Sequence, residues 1–327
     1  MSRRLSVTVE TFDLAADFVI SRGSKRQAVV VVATIEDGGT RGRGECVPYQ
    51  RYGESVESVV AAIEAARSAI EAGAPRDALQ TVMPAGAARN AVDCALWDLE
   101  AKTGGVPVAE RICARPPVPL ETAYTISLGT PADMAEAARA AAGRGLLKIK
   151  LGGDGDIERI RAVAAATSGA RLILDANEAW TPETLRENML AAAAAGAILV
   201  EQPLPAGHDE ALATLPHPVP VCADESMHKT GDLAGLVGRY DFVNVKLDKT
   251  GGLTEALNLV SEARRLGFGV MVGCMVSSSL AMAPAVLLGQ GADLIDLDGP
   301  LLMKADREHG LVYSASTVAP PMPDLWG

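Results

Sequence analysis

From about Leu120 onward the apolar and polar positions fall into a repeating beat: a short β-rich run, a polar or glycine-containing loop, then an alanine-rich stretch. The runs that predict strands are ETAYTIS (121–127), LLKIK (146–150), RLILD (171–175), AILVE (197–201), VPVCAD (219–224), DFVNVK (241–246), FGVMVG (268–273) and DLIDLD (293–298), eight in all. Between them, PADMAEAARAAAGRG (131–145) has alanine at helical spacing and a glycine stop, and TPETLRENMLAAAAAG (181–196) opens on Thr-Pro-Glu and ends on glycine. Strands alternating with helices make parallel βαβ units. Eight such beats predict an α/β fold of (β/α)₈ barrel type, with an open sheet as the alternative.

The first part of the chain has a different period. SVTVETFDLA and QAVVVVATIEDGG, separated by a glycine-containing turn, predict antiparallel strands, and 55–102 reads as helical. The segment NAVDCALWDLEAKTGG (90–105) places Val92, Ala95, Leu96 and Leu99 on one face of a helix. These features predict a separate α+β unit over residues 1–116, with the proline-rich ARPPVP (114–119) as the hinge into a barrel over 117–306. The tail 307–327 is too short for a domain and is expected to fold back over the first unit.

Composition narrows the class. The 327 residues exceed one typical domain but suit a barrel with a smaller attached unit, and 48% hydrophobic residues with a mean hydropathy of +0.16 fit a compact enzyme. Only 4% are aromatic, so Ala, Val and Leu fill the interior. A net charge of -11 and a pI near 4.9 argue against a nucleic-acid partner, which selects a basic stripe. The five scattered cysteines (Cys46, Cys94, Cys113, Cys222, Cys274) contain no Cys-x-x-Cys pair and point to reduced thiols in a cytoplasmic protein. The start MSRRLSVTVE has no apolar run behind its charge, and LAAAAAGAILV (190–200) is too short to span a bilayer, so neither export nor membrane insertion is expected.

In a barrel the active site lies at the C-terminal ends of the strands. There the second predicted strand ends in Lys148-Ile149-Lys150, the third in Asp175, the fourth in Glu201, the fifth in Asp224, the sixth in Lys246 and the eighth in Asp296-Leu297-Asp298. Single acids at such turns are commonly helix caps. Three on successive strand ends would repel one another without a cation among them. Hard oxygen donors, with no His or Cys nearby in sequence, select magnesium, or manganese in its place. Lys148 and Lys150 are two apart on a strand and so share a face, where like charge and burial lower a lysine pKa and make a base. Lys150, nearer the strand end, is then the base, Lys148 its electrostatic neighbour, and Lys246, four strands further round, the group on the opposite face. The glycine-rich LGGDGD (151–156) lacks the Gly-Lys-Ser/Thr ending of a phosphate loop and reads as a turn. His208, His217, His228 and His309 lie away from strand ends, which disfavours a histidine mechanism.

KIK at 148, DANEAW at 175, EQPLP at 201, ADES at 223 and NVKLDKTGG at 244, together with the 90–105 helix, resemble the signature of the enolase superfamily, muconate-lactonizing subgroup. The resemblance covers nearly the whole chain. It implies an N-terminal capping domain, completed by the tail, over a modified TIM barrel of (β/α)₇β form, an essential Mg²⁺, and an enediolate formed next to a carboxylate. It further implies that Asn177 and Lys249 support the metal ligands from behind, Lys249 through Asp224 or Asp248. Asp296 and Asp298 share one strand face, and their Asp-x-Asp is similar to that of the family's dipeptide epimerases, where it grips a free α-amino group. The implied reaction is epimerisation of the C-terminal residue of a dipeptide, L-Ala-D/L-Glu, in reuse of cell-wall peptides. A glutamyl side chain would need a cation from the capping loops, with Arg22, Lys25 and Arg51 as candidates, and Thr125 is a further candidate for the pocket lining. The alternatives are a cycloisomerase or o-succinylbenzoate synthase of the same subgroup, and a non-catalytic barrel serving as a binding protein. Family barrels often form symmetric oligomers, although no stretch of this chain identifies an interface.

Overall fold

The computed structural model describes residues 3–167 and 169–327, so Met1 and Ser2 of the leader reading lie outside the described residues. The chain opens with an antiparallel meander of three strands, β1 (Arg4–Ile20), β2 (Gly23–Asp37) and β3 (Thr40–Cys46). The period-two pattern predicts the first two. β3, TRGRGEC, has no apolar alternation and is held by packing instead: a Cβ on Gly42 would come within 2.2 Å of the Ala95 carbonyl, and one on Gly44 within 2.1 Å of the Ala91 carbonyl. Only glycine lets the strand lie that close to a helix.

That helix is α3 (Ala87–Gly104), preceded by α1 (Val56–Glu71) and α2 (Arg76–Val82) and followed by α4 (Val108–Ile112). Ser55 caps α1 through the Ser58 N–H. Val92, Ala95, Leu96 and Leu99 of α3 join a core with Val31, Ile35 and Ile63, as their spacing predicts. The opposite face is also buried. Cys94 and Trp97 belong to the barrel's hydrophobic cluster, and Arg89, Asn90, Asp93 and Asp98 are covered too, so α3 is a spacer between the two units rather than a surface helix.

The barrel follows. Leu120–Glu121 (β4) precedes the eight parallel strands β5 (Tyr124–Ile126), β6 (Leu146–Lys150), β7 (Arg171–Asp175), β8 (Ala197–Glu201), β9 (Val221–Ala223), β10 (Phe242–Val245), β11 (Gly269–Gly273) and β12 (Leu294–Asp296) in sequential order. Each falls on a predicted run. The seam between first and last is closed by the Ala123 N–H donating to the Ile295 carbonyl at 2.8 Å and the Leu297 N–H donating to Thr122 Oγ1 at 2.8 Å. The connecting α-helices are α5 (Pro131–Ala140), α6 (Asp156–Ala166), α7 (Pro182–Ala194), the short α8 (Leu247–Thr250), α9 (Leu253–Arg265) and α10 (Ser279–Leu288). After β8 and β9 the crossovers carry only 3₁₀ turns, Glu210–Ala213 and Thr230–Leu236. Together the strands and helices make a (β/α)₇β-type barrel.

Strand alternation builds the interior in layers. Ala123, Leu146, Ile173, Leu199, Cys222, Met271 and Leu294 form one apolar layer. Two residues further along the same strands stand Thr125, Lys148, Asp175, Glu201, Asp224, Gly273 and Asp296. The next inward layer is thus made largely of charge. The tail divides its contacts. β13 (Tyr313–Ser314) and β14 (Thr317–Val318) extend β4 as an antiparallel ribbon, while the Trp326 indole N–H donates to the Cys94 carbonyl of α3 at 3.0 Å.

Candidate active site

The charged layer is sealed from water. Asp175 and Glu201 are 0% exposed, Asp224 2% and Lys148 1%. Isolated buried charge is costly, so each of these groups is paired. Lys148 Nζ lies 2.7 Å from Glu201 Oε2, 2.7 Å from Asp296 Oδ2 and 3.1 Å from Asp175 Oδ2. Lys150 Nζ donates to Asp175 Oδ2 at 2.6 Å, and Lys246 Nζ to Asp224 Oδ2 at 2.7 Å. Lys249 Nζ donates to Asp224 Oδ1 at 2.7 Å and to the Asp224 and Asn244 carbonyls. It pairs with Asp224, not with Asp248. Burial works against the charge on Lys148 and Lys246, but the neighbouring carboxylates outweigh it and hold both well above the ordinary lysine range. Lys148, expected as the electrostatic neighbour of Lys150, is itself surrounded by three carboxylates.

The carboxylates respond unequally. Burial disfavours the charge of Asp175 and Asp224, yet the lysines hold both well below the usual carboxylate range. Glu201 is pushed up to about 7 by burial and by Asp175. Its Oε2 and the buried Asp296 Oδ1 make no hydrogen bond, although the former touches the Lys148 ammonium. Among the described residues no three acidic, His or Cys side chains form a ready metal-ligand cluster, because Lys148 stands between Asp175 and Glu201.

Asn244, Gln202 and Glu178, not singled out in the sequence, shape this layer together with Asn177. Asn244, the inward residue of β10, donates to Glu201 Oε1 at 2.8 Å. Gln202 sits in the left-handed region at φ 34°, and its Oε1 accepts the Asp224 N–H at 2.9 Å. Asn177 (φ 45°) and Glu178 (φ 69°) follow β7 in the same region, and the Asn177 N–H donates to Asp175 Oδ1 at 3.1 Å. Left-handed non-glycine backbone just past two strand ends is stored strain of a kind that gathers at functional sites.

Above the layer lies a cavity of about 720 Å³, lined among others by Phe18, Lys25, Tyr52, Lys150, Lys246 and Cys274. Two candidates from the capping loops are engaged by the protein itself. Arg22 donates to the Asn177 carbonyl at 2.8 Å, Glu225 Oε1 at 2.7 Å and Glu178 Oε2 at 3.1 Å, and Arg51 makes a two-point pair with Glu178. Arg22 is therefore a latch between the loop and the barrel, not a free cation. Lys25 has no carboxylate partner among the described residues and stands 5.6 Å from the Phe18 ring centre. Burial, with Lys150 and Lys246 nearby, lowers it to about 8. Thr125, Asp296 and Asp298 do not line this cavity. The Thr125 N–H donates to Asp298 Oδ2 at 2.7 Å, and burial with Asp296 pushes Asp298 up to about 6.

Barrels of this kind do their chemistry at this face, and so many buried charges exceed what the fold needs: the protein is an enzyme. The chain belongs to the enolase superfamily. Residues 132–303 match the Enolase C-terminal domain-like family and residues 3–112 the Mandelate racemase / muconate lactonizing enzyme N-terminal domain. It is 46% identical to the L-Ala-D/L-Glu epimerase of Escherichia coli (strain K12), covering 95% of this chain and 98% of that protein. It is also 46% identical to an N-acetyl-D-glutamate racemase of a Pseudoalteromonas species, covering 91% and 95%. An enolase family member from Agrobacterium tumefaciens with homology to dipeptide epimerases, solved with sodium and L-Ala-L-Glu bound, has 57% identity and a TM-score of 0.98 over 99% of this chain and 100% of that one. A dipeptide epimerase from Enterococcus faecalis, solved with Mg and L-Leu-L-Tyr, has 28% identity and a TM-score of 0.92 over 98% and 97%. Its epimerase and racemase relatives make the enzyme an isomerase.

Proposed function

We propose that the enzyme is a dipeptide epimerase that inverts the α-carbon of the C-terminal residue of L-Ala-D-Glu and L-Ala-L-Glu by 1,1-proton transfer. The observation that carries this reading is the pair Lys150 and Lys246, which line one cavity from strands four apart, each bonded to a different carboxylate. One lysine per face suits the transfer: the one acting as neutral amine takes the α-proton and becomes an ammonium, and the other, as an ammonium, returns a proton to the opposite side and becomes the amine. Lys148, charged and buried, stays as a fixed positive charge beside them.

Asp175, Glu201 and Asp224 are the residues that would hold Mg²⁺, with Mn²⁺ as a substitute. Their donor chemistry fits the ion: all three offer hard oxygens, and Glu201 Oε2 and Asp175 Oδ2 already converge on one cation, the Lys148 ammonium, at 2.7 and 3.1 Å. When bound, Mg²⁺ would supply the charge that stabilises a substrate carboxylate as it becomes an enediolate. With Asp224 committed as a ligand, Lys246 would lose the carboxylate that raises its pKa in the metal-free protein, and Lys150 would lose its contact with Asp175. Asn177 and Lys249 orient Asp175 and Asp224 through the bonds described above. Lys25 reads the glutamyl carboxylate, and Asp296 and Asp298 the α-ammonium. The cavity is ample for a dipeptide. We place the activity in the reuse of cell-wall peptides in the cytoplasm.

A second reading follows from the Asp pair. Asp296 is paired with Lys148 and Asp298 accepts the Thr125 N–H, so both carboxylates already have partners within the protein, which suits a substrate whose amino group is acylated, as in the N-acetyl-D-glutamate racemase relative. One experiment separates the two. L-Ala-L-Glu and N-acetyl-L-glutamate are incubated in parallel with the protein and Mg²⁺ in D₂O, and the glutamyl α-proton is followed by NMR. Exchange and inversion of the dipeptide support the first reading; reaction of the N-acetyl compound alone supports the second. If exchange survives both Lys150→Ala and Lys246→Ala, the two-lysine mechanism is wrong.

A further inference from the structure

Lys150 and Lys246 are fixed in different ways. Lys150 belongs to β6 and is in register with Asp175 of β7, so the sheet ladder places it. Lys246 follows the last residue of β10 and is the N-cap of the four-residue α8, beyond the ladder. The segment it leads into is held from the other unit, by the buried polar face of α3. Arg89 donates to the Thr250 carbonyl at 2.7 Å and the Gly251 carbonyl at 3.0 Å, and Asn90 Nδ2 donates to Asp248 Oδ1 at 2.8 Å. Asp93 accepts from the Thr254 N–H at 3.0 Å and from Thr254 Oγ1 at 2.6 Å. A Cβ on Gly251 would come within 2.5 Å of Arg89, and one on Gly252 within 2.5 Å of Asp93, so helix and segment meet without slack.

Asp248 is the joint. The same Oδ1 that accepts from Asn90 accepts the Val47 N–H at 3.0 Å, where β3 leads into the loop carrying Tyr52 to the cavity. One residue on, Lys249 grips the other oxygen of the carboxylate that holds Lys246. We propose that Arg89, Asn90 and Asp248 are positioning residues for Lys246 and not for Lys150. The N-terminal unit would then set one face of the proton transfer while the barrel sheet sets the other. This rests on the two-lysine reading above. A displacement of about 1 Å at a reacting group can cost ~10²-fold in rate, so contacts made outside the cavity suffice to matter.

The test uses the full chain with Mg²⁺ in D₂O and the two epimers, L-Ala-L-Glu and L-Ala-D-Glu, supplied separately. The equilibrium constant ties the two directions of inversion together, so both slow alike in any variant. Exchange with retention is not tied in this way. In Asp248→Ala we expect inversion of both epimers to slow by about 10- to 100-fold. Exchange with retention should persist near the wild-type rate for the epimer whose α-proton faces Lys150, and fall for the other. Asp248→Asn, which keeps an oxygen acceptor, should restore the symmetry. Equal loss of exchange for both epimers, or no loss, overturns the proposal. Asn90→Ala, which removes one donor only, serves if Asp248→Ala does not fold. A crystal structure of the metal-free variant, compared with metal-free wild type, decides independently of turnover: Lys246 should leave Asp224 while the Lys150–Asp175 contact stays. An unmoved Lys246 refutes the proposal, and a wild-type enzyme inert towards the dipeptides refutes the functional reading instead.

Discussion

At the scale of the residue, the site is decided by which charge meets which. Three cations of the capping loops carry the same formal charge, but Arg22 and Arg51 are neutralised by Glu178 and Glu225, and Lys25 has no carboxylate partner among the described residues. A charge-assisted bond to a substrate carboxylate contributes ~1.5–3 kcal/mol. Lys25→Met should therefore raise KM for L-Ala-D-Glu by about 10- to 100-fold with little change in kcat, and leave a dipeptide with a neutral side chain unaffected. The pH dependence has a definite sign. Lys25 is lowered to about 8, so its charged form is complete below that pH and lost as the pH rises through it. KM for the glutamyl dipeptide should climb above pH 8 in the wild type and stay flat in Lys25→Met. Steady-state kinetics from pH 7 to 10 check this, and a parallel climb in the variant would remove Lys25 from the pocket. Nothing in SRGSKR separates Arg22 from Lys25, because the partners that neutralise one and spare the other lie more than 150 positions away.

At the scale of the element, local pattern and tertiary packing divide the work unevenly. The eight barrel strands are legible because buried parallel strands read as compact β-branched runs. β3 is not legible. Its glycines and arginines carry no period, and it is a strand because β2 pairs with it and α3 covers it. Gly44→Ala should drive a methyl group into the α3 backbone and destabilise the protein by about 1–3 kcal/mol in urea unfolding. A change within a few tenths of a kcal/mol would show that strand and helix separate freely. The helix-poor crossover after β8 has a visible cause in its prolines, as in PLPAGHD and PHPVP, and the one after β9 in Gly231, Gly235 and Gly238. α3 shows a subtler limit. Its apolar spacing predicts one buried face, but a second packing partner buries the polar face as well.

At the scale of the whole molecule, the acidic chain concentrates carboxylates in a layer that lysines only partly balance. A divalent cation that binds the folded protein there stabilises it by about 2.7 kcal/mol at a hundredfold excess over its Kd. Added Mg²⁺ should therefore raise the Tm, EDTA should reverse the rise, and Asp175→Asn should abolish the response, all measurable by calorimetry without substrate. An equal rise in Asp175→Asn would place the ion elsewhere. Strand and helix periods, and the lysine or acid at each barrel strand end, are local properties of the chain, so the sequence by itself determined the barrel and the ring of charged candidates. Tertiary structure alone decided which oxygen each ammonium meets, that Arg22 is a latch, that Asp296 and Asp298 lie off the cavity, and that α3 reaches the segment after Lys246. Those outcomes depend on pairing and burial between residues far apart in the chain, and side-chain identity in one segment does not encode what another brings to it.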